Sequence, residues 1–199
     1  MPKGRPREFN IENALEIALR LFWQHGYEGV SIAALAEAIG IKAPSLYAAF
    51  GNKENLFWEA VRLYSDQAGH IYHESFKKKT ARAVAEAILK GEVDLVTQRD
   101  KPNGCLMIQG ALITSPESQK ISTQMAKMIA TAEGWMADRF RQAQKDGDLP
   151  KDADPQALAC YIMTLNSGLA IQARNGASKK QLLKVVEIAL QNWPVANEE

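Results

Sequence analysis

The chain has 199 residues, 46% of them hydrophobic, and its 24 Lys and Arg against 23 Asp and Glu leave a formal charge of +1. That length suffices for one domain or two small ones with an independent core. The near-zero net charge by itself argues neither for nor against a nucleic-acid partner; its distribution says more.

No run of about 18 apolar residues is present, so no membrane partner is expected. The charged opening "MPKGRPREFN" has no apolar stretch behind it and does not read as a secretory signal. Cys105 and Cys160 lack paired spacing, which suggests a reducing compartment and a cytoplasmic location.

Lys3, Arg5 and Arg7 concentrate positive charge in residues 1–7, whereas Glu8 to Glu59 carries seven glutamates against Arg20, Lys42 and Lys53. The first run reads either as a basic arm or as a plain tail. Any nucleic-acid contact must then come from a few well-placed cations.

Apolar residues recur at helical spacing and strand alternation is missing, so the expected fold is all-α. Ile11, Ala14, Leu15, Ala18, Leu21 and Phe22 form the first stripe, with Asn10 as N-cap and His25-Gly26 as its end. A second helix runs from the N-cap Ser31 through Leu35, Ala36 and Ile39 to Gly40. The third is "IKAPSLYAAF", closed by Gly51-Asn52, and a longer fourth starts near Lys53 and runs towards His73. Pro102-Asn103-Gly104 marks a turn, and a long helix is expected from Pro116 to "KDGDLP". Asp154 caps the next helix, which opens on Pro155. Gly176-Ala177-Ser178 separates it from a last helix ending before Pro194.

The second and third helices flank a very short turn at Gly40, the helix-turn-helix arrangement. Ala36 is small where the helices approach, and Leu46 points back to hold them together. Ile41, Leu46 and Phe50 form the inner side of the third helix, leaving Lys42, Ala43, Pro44, Ser45 and Tyr47 outside. A merely structural hairpin would fill that side with Glu, Lys and Ala. Pro44 is tolerated in the first turn and, with Ala43, suits thymine methyls. Lys42 and Ser45 reach base edges or phosphates, and Tyr47 can donate to a phosphate. Lys53 and Ser31 sit at helix N-termini, which favour anions. Taken singly, Tyr47 is a packing residue, Lys53 a surface charge and Ser31 a cap; their joint occurrence around one turn carries the reading.

"GYEGVSIAALAEAIGIKAPSLYAAFGNKENLF" resembles the DNA-binding domain of the tetracycline-repressor (TetR) family of one-component bacterial regulators. The resemblance rests on Gly26-Tyr27-Glu28-Gly29, Ser31, Ala36 with Gly40, Leu46 to Phe50, and Lys53 to Leu56. It is specific over residues 8–64; beyond them only length and helical pattern fit. It implies that Ser31, Tyr47 and Lys53 touch phosphates of double-stranded DNA and that Lys42, Ala43, Pro44 and Ser45 face the bases. Arg5 and Arg7 in "GRPR" resemble a minor-groove arm. The implied organisation is a basic arm 1–7, a helix-turn-helix domain 8–52, a linking helix 53–73, and an effector-binding and dimerisation domain 74–199. The implied function is a regulator, usually a repressor, released from a palindromic operator by a small-molecule effector, though activation stays open.

For the homodimer, the last two helices offer Leu158, Ile162, Leu165, Leu169, Leu182 and Val186, which otherwise pack within the chain. For the effector, Met107, Met125, Met128, Trp135, Phe140, Tyr161 and Met163 read as pocket lining or as plain core, with Gln109 and Asn166 able to orient a ligand. Cys105 reads as a small buried hydrophobe or as a sensing thiol. His70, His73 and Glu74 share a helix face, but a solvent-facing helix end is the better reading than a metal site. No cofactor is expected. Ser75-Phe76-Lys77-Lys78 fits S-x-x-K without its companion motifs, and no P-loop, G-x-S-x-G, G-x-G-x-x-G or H-E-x-x-H occurs, so no enzyme is expected. A helical protein-binding adaptor is the remaining rival, distinguished by weak dependence on salt.

Overall fold

A computed structural model describes residues 9–112 and 115–196. The described residues form α-helices with one short 3-10 turn and no strand. They fall into two compact units that divide between Ser65 and Asp66.

The first unit holds α1 (Ile11–His25), α2 (Ile32–Ile39), α3 (Ala43–Phe50) and the opening turns of α4 (Lys53–Phe76). Three of these starts have a side-chain cap. Asn10 accepts from the Asn13 N–H, Ser31 from the Ala34 N–H at 3.1 Å, and Asn52 from the Asn55 N–H at 2.7 Å, each satisfying one orphan donor of its helix. The core is aromatic. Phe22 meets Phe57 edge-on at 5.1 Å between centroids, and Trp23 meets Tyr64 edge-on at 4.8 Å. Leu35 and Leu46 are fully buried, so each of the two short helices is pinned by one leucine.

The second unit holds the end of α4 with α5 (Ala81–Val96), α6 (Leu106–Ala111), α7 (Gln119–Lys145), α8 (Pro155–Arg174) and α9 (Lys179–Gln191). α8 packs on both α5 and α7, and α9 packs on α5. Asp154 accepts from the N–H groups of Gln156 and Ala157 ahead of Pro155, and Ser178 with Gln181 forms a capping box. Arg139 reaches from α7 to the carbonyls of Phe76 and Lys78, which ties down the end of α4. α4 runs to Phe76, three residues past the expected His73, because no breaker stands between them. The helix expected from Pro116 opens instead with a 3-10 turn, Pro116–Ser118, capped by Ser115. Among the described residues no single helix is long and apolar enough to cross a membrane.

Candidate nucleic-acid interface and effector unit

α2 and α3 meet at 97°, inside the range of helix-turn-helix pairs. Gly40 makes that corner. Its φ of 78° and ψ of 30° are left-handed; its own N–H reaches the Glu37 carbonyl, and the Ile41 N–H reaches the Ala36 carbonyl at 2.9 Å. This is the Schellman closure, and a Cβ at such a φ is strained. Ala36 is 5% exposed beneath the turn.

α3 turns Leu46 and Phe50 inward, while Lys42, Pro44, Ser45 and Tyr47 are exposed and Ala43 is partly so. Tyr47 is 48% exposed, too open for a core tyrosine. Lys42 stands at the N-cap of α3 with no side-chain capping bond, and Pro44 occupies the first turn. Ser31 is exposed, and its oxygen is engaged by its own helix, leaving the hydroxyl proton to donate.

Lys53 is partly buried, at the first position of α4. Its Nζ lies over the Tyr27 ring, 4.3 Å from the centroid, and Tyr27 in turn meets Phe57 at 5.0 Å. Burial holds its ammonium below the usual lysine value, partly offset by nearby Glu28. A lysine so held is oriented before any anion arrives, which lowers the entropy of gripping one. Tyr27 was not among the expected site residues. Its only sequence signal is its place in "GYEG", 26 residues before Lys53. Arg5 and Arg7 lie outside the described residues.

In the second unit the expected effector residues separate. Met125 is fully buried against α6, Met163 and Asn166 are 8% and 4% exposed, and Met107, Met128 and Gln109 are partly buried. Phe140 is buried against Trp193. Trp135, at 59% exposure, and Tyr161, at 42%, face outward and line no interior. The long helices carry apolar groups on more than one side, so helical spacing alone does not tell inside from outside.

The expected dimer residues divide in the same way. Ile162, Leu169, Leu182 and Val186 are at most 3% exposed and hold α8 and α9 to the chain's own core. Leu158 and Leu165 are partly buried. The exposed apolar residues of these helices are instead Tyr161, Ile171, Val185 and Ile188.

Tyr72 and Glu92, which sequence reading did not single out, add to the second unit's polar groups. Asn166 donates to the Tyr72 hydroxyl at 3.4 Å, and Tyr72 donates to the Met163 sulfur at 3.7 Å. Burial raises the Tyr72 phenol well above its usual value, with Glu92 adding to the effect. Burial alone pushes the Glu92 carboxyl up to about 7. Cys105 is buried at the start of α6, whereas Cys160 is exposed. His70 and His73 are exposed, and Glu74 pairs with Lys77 at 2.7 Å.

Comparison with known proteins gives a single picture. Residues 14–60 match the model of bacterial regulatory proteins of the tetR family, and residues 82–188 match the tetracyclin repressor-like C-terminal domain. The chain is 36% identical to the HTH-type transcriptional repressor ComR of Escherichia coli (strain K12), over 96% of this chain and 92% of that protein. It is 30% identical to the repressor BdcR of the same organism, over 94% and 90%. Among solved structures, the TetR family transcriptional regulator CifR, a cysteine mutant complexed with 26-bp double-strand operator DNA, superposes with a TM-score of 0.90 at 39% identity. That likeness covers 96% of this chain and all of that one.

Proposed function

Because the chain belongs to the TetR family of bacterial transcriptional regulators, and is thus a DNA-binding regulator rather than an enzyme, we propose that it is a cytoplasmic repressor of the following kind. It grips a palindromic operator as a homodimer and releases it when a small-molecule effector enters the second unit.

The observation that carries this reading is the exposed face of α3, set at 97° to α2 and flanked by Ser31 and Lys53 at two helix N-termini. In the complex, Ser31, Tyr47 and Lys53 bind phosphates and fix register, while Lys42, Ala43, Pro44 and Ser45 meet the base edges of one major groove. Arg5 and Arg7 extend the grip into the minor groove from an arm of residues 1–7, ahead of the reading domain 8–52. Helix 53–73 links that domain to the effector and dimerisation domain 74–199. Tyr161, Ile171, Val185 and Ile188 supply the apolar face that a second copy covers, since single exposed apolar residues are ordinary but four on two neighbouring helices make a patch.

An effector bound among Met107, Gln109, Met125, Met128, Met163 and Asn166 acts on α4, one unbroken helix from Lys53 to Phe76. If it favours a head spacing that does not fit the operator, effector and DNA exclude each other by linkage. The test is the salt dependence of operator affinity by fluorescence anisotropy. Lys53 of two protomers neutralises two phosphates, giving a slope of log affinity against log salt of about −2, and steeper if the arms add theirs. A slope near zero would show an adaptor surface rather than a DNA interface.

A further inference from the structure

A groove of about 520 Å³ lies between α4 and α5, within the size of small-molecule sites. Two contacts close its ends. At one, Gly91 of α5 lets Ile71 of α4 approach so closely that a Cβ there would collide with the isoleucine Cγ2. At the other, the Lys101 ammonium donates to the Gln67 side-chain oxygen at 2.6 Å and ties the loop after α5 back to α4. Asp94, Leu95 and Gln98 continue the wall from Gly91, over about 10 Å at the helical rise, so the groove is elongated.

Three of its lining side chains carry or can carry charge: Lys101, Asp94 and His70. Asp94 already pairs with Lys179 of α9 at 2.7 Å. Among the described residues no carboxylate pairs with Lys101, whose ammonium turns to a neutral amide instead. An ammonium gains roughly twice as much from an ionised acceptor as from a neutral one. Beside this unanswered cation stand the apolar side chains of Ile71 and Leu95.

We propose that the groove is a binding site for a small organic carboxylate with an apolar body, of the arylalkanoic acid class. The carboxylate accepts the hydrogen bond that Lys101 now gives to Gln67. The amides of Gln67 and Gln98 are placed to donate to its second oxygen, and the body lies along Ile71 and Leu95. A phosphate brings two charges to one lysine and has nothing to lay on the apolar wall. An ammonium meets Lys101 with its own sign, and Asp94 is already occupied by Lys179. The site shares no residue with the interior between Met107 and Asn166 and does not rest on the reading of that interior. Because α4 and α5 each supply one wall, the bound acid fixes the linking helix to its neighbour.

The test follows the imidazole signals of the full chain by NMR at constant pH, since His70 lines the groove and is one of only three histidines. His70→Gln assigns the signal. Phenylpropionate should move it saturably with a Kd of about 1 mM. Phenylpropionamide has the same shape without the charge and should bind about ten-fold more weakly, and phenylpropylamine should not bind. Lys101→Met should weaken the acid about ten-fold, whereas Lys101→Arg, which keeps the charge, should stay within about three-fold of the wild type. The proposal is overturned if the acid gives no saturable shift of the His70 signal, or if the amide or the amine binds as tightly. It is equally overturned if Lys101→Met binds the acid like the wild type. The comparison of acid with amide needs no variant, so it decides the matter even if Lys101→Met is unstable.

Discussion

Replacing Glu92 with glutamine removes a charge from the interior while keeping the side chain's volume, and its effect should depend on pH in a defined way. The carboxyl is held at about 7 in the folded chain against 4.5 for an ordinary glutamate, and burial is the cause. Below pH 4.5 it is protonated in both folded and unfolded chains and costs nothing. Between those values the unfolded chain gives up the proton first, so the folded state binds more protons and stability falls as pH rises. Above 7 the cost is complete, roughly 3 kcal/mol at 1.36 kcal/mol per pH unit. Glutamine has no such cost, but its amide needs partners, which adds an offset that does not vary with pH. The decisive quantity is therefore the change in the difference between Glu92→Gln and wild type from pH 4.5 to pH 8. It should grow by about 3 kcal/mol in favour of the variant in urea titrations, or by about 6 °C or more in thermal melts followed by circular dichroism. A difference that stays flat across this range, or grows towards low pH, would refute the claim that Glu92 is buried without a cation.

Three further outcomes follow from named residues. Gly40→Ala puts a Cβ on a residue with φ of 78° and should cost about 1 kcal/mol while weakening operator binding through the corner it sets. Ile188→Glu, on the exposed apolar face of α9, should convert dimer to monomer in analytical ultracentrifugation with the helical content intact. An unchanged dimer would move the interface elsewhere. Deleting residues 1–7 removes Lys3, Arg5 and Arg7 from each protomer and should flatten the salt slope by about 5 if they form an arm. An unchanged slope would mark them as a plain tail.

What was legible in the sequence is local. Asn10, Ser31, Asp154-Pro155 and Gly40 mark helix ends by side-chain and backbone chemistry that acts within a turn, and the helices begin or end there. The outward set of α3 was legible for the same reason, since eight residues leave only one face for Leu46 and Phe50. Long-range choices were not. α8 carries apolar side chains on two sides, and only packing on α5 and α7 decides that Ile162 and Leu169 go in while Tyr161 and Ile171 stay out. Tyr72 stands between partly buried Ile71 and exposed His73 on α4, and Glu92 sits in "GEVDL" like any helix glutamate. Tyr72 is hydrogen-bonded to Met163 and Asn166 of α8, 91 and 94 residues away in the chain, so no local pattern announces it. The Tyr27 ring under Lys53 is a pairing of the same kind on a shorter scale.

The central claim is that the face of α3 reads DNA while Tyr47 and Lys53 only hold it. Selection of bound duplexes from a random pool, with the purified protein and with Tyr47→Phe and Lys53→Ala, measures this directly. The wild type should return a palindromic consensus, and both variants should return the same consensus at about five-fold or more lower affinity. A pool without a palindrome, or a consensus that changes with either variant, would contradict the account.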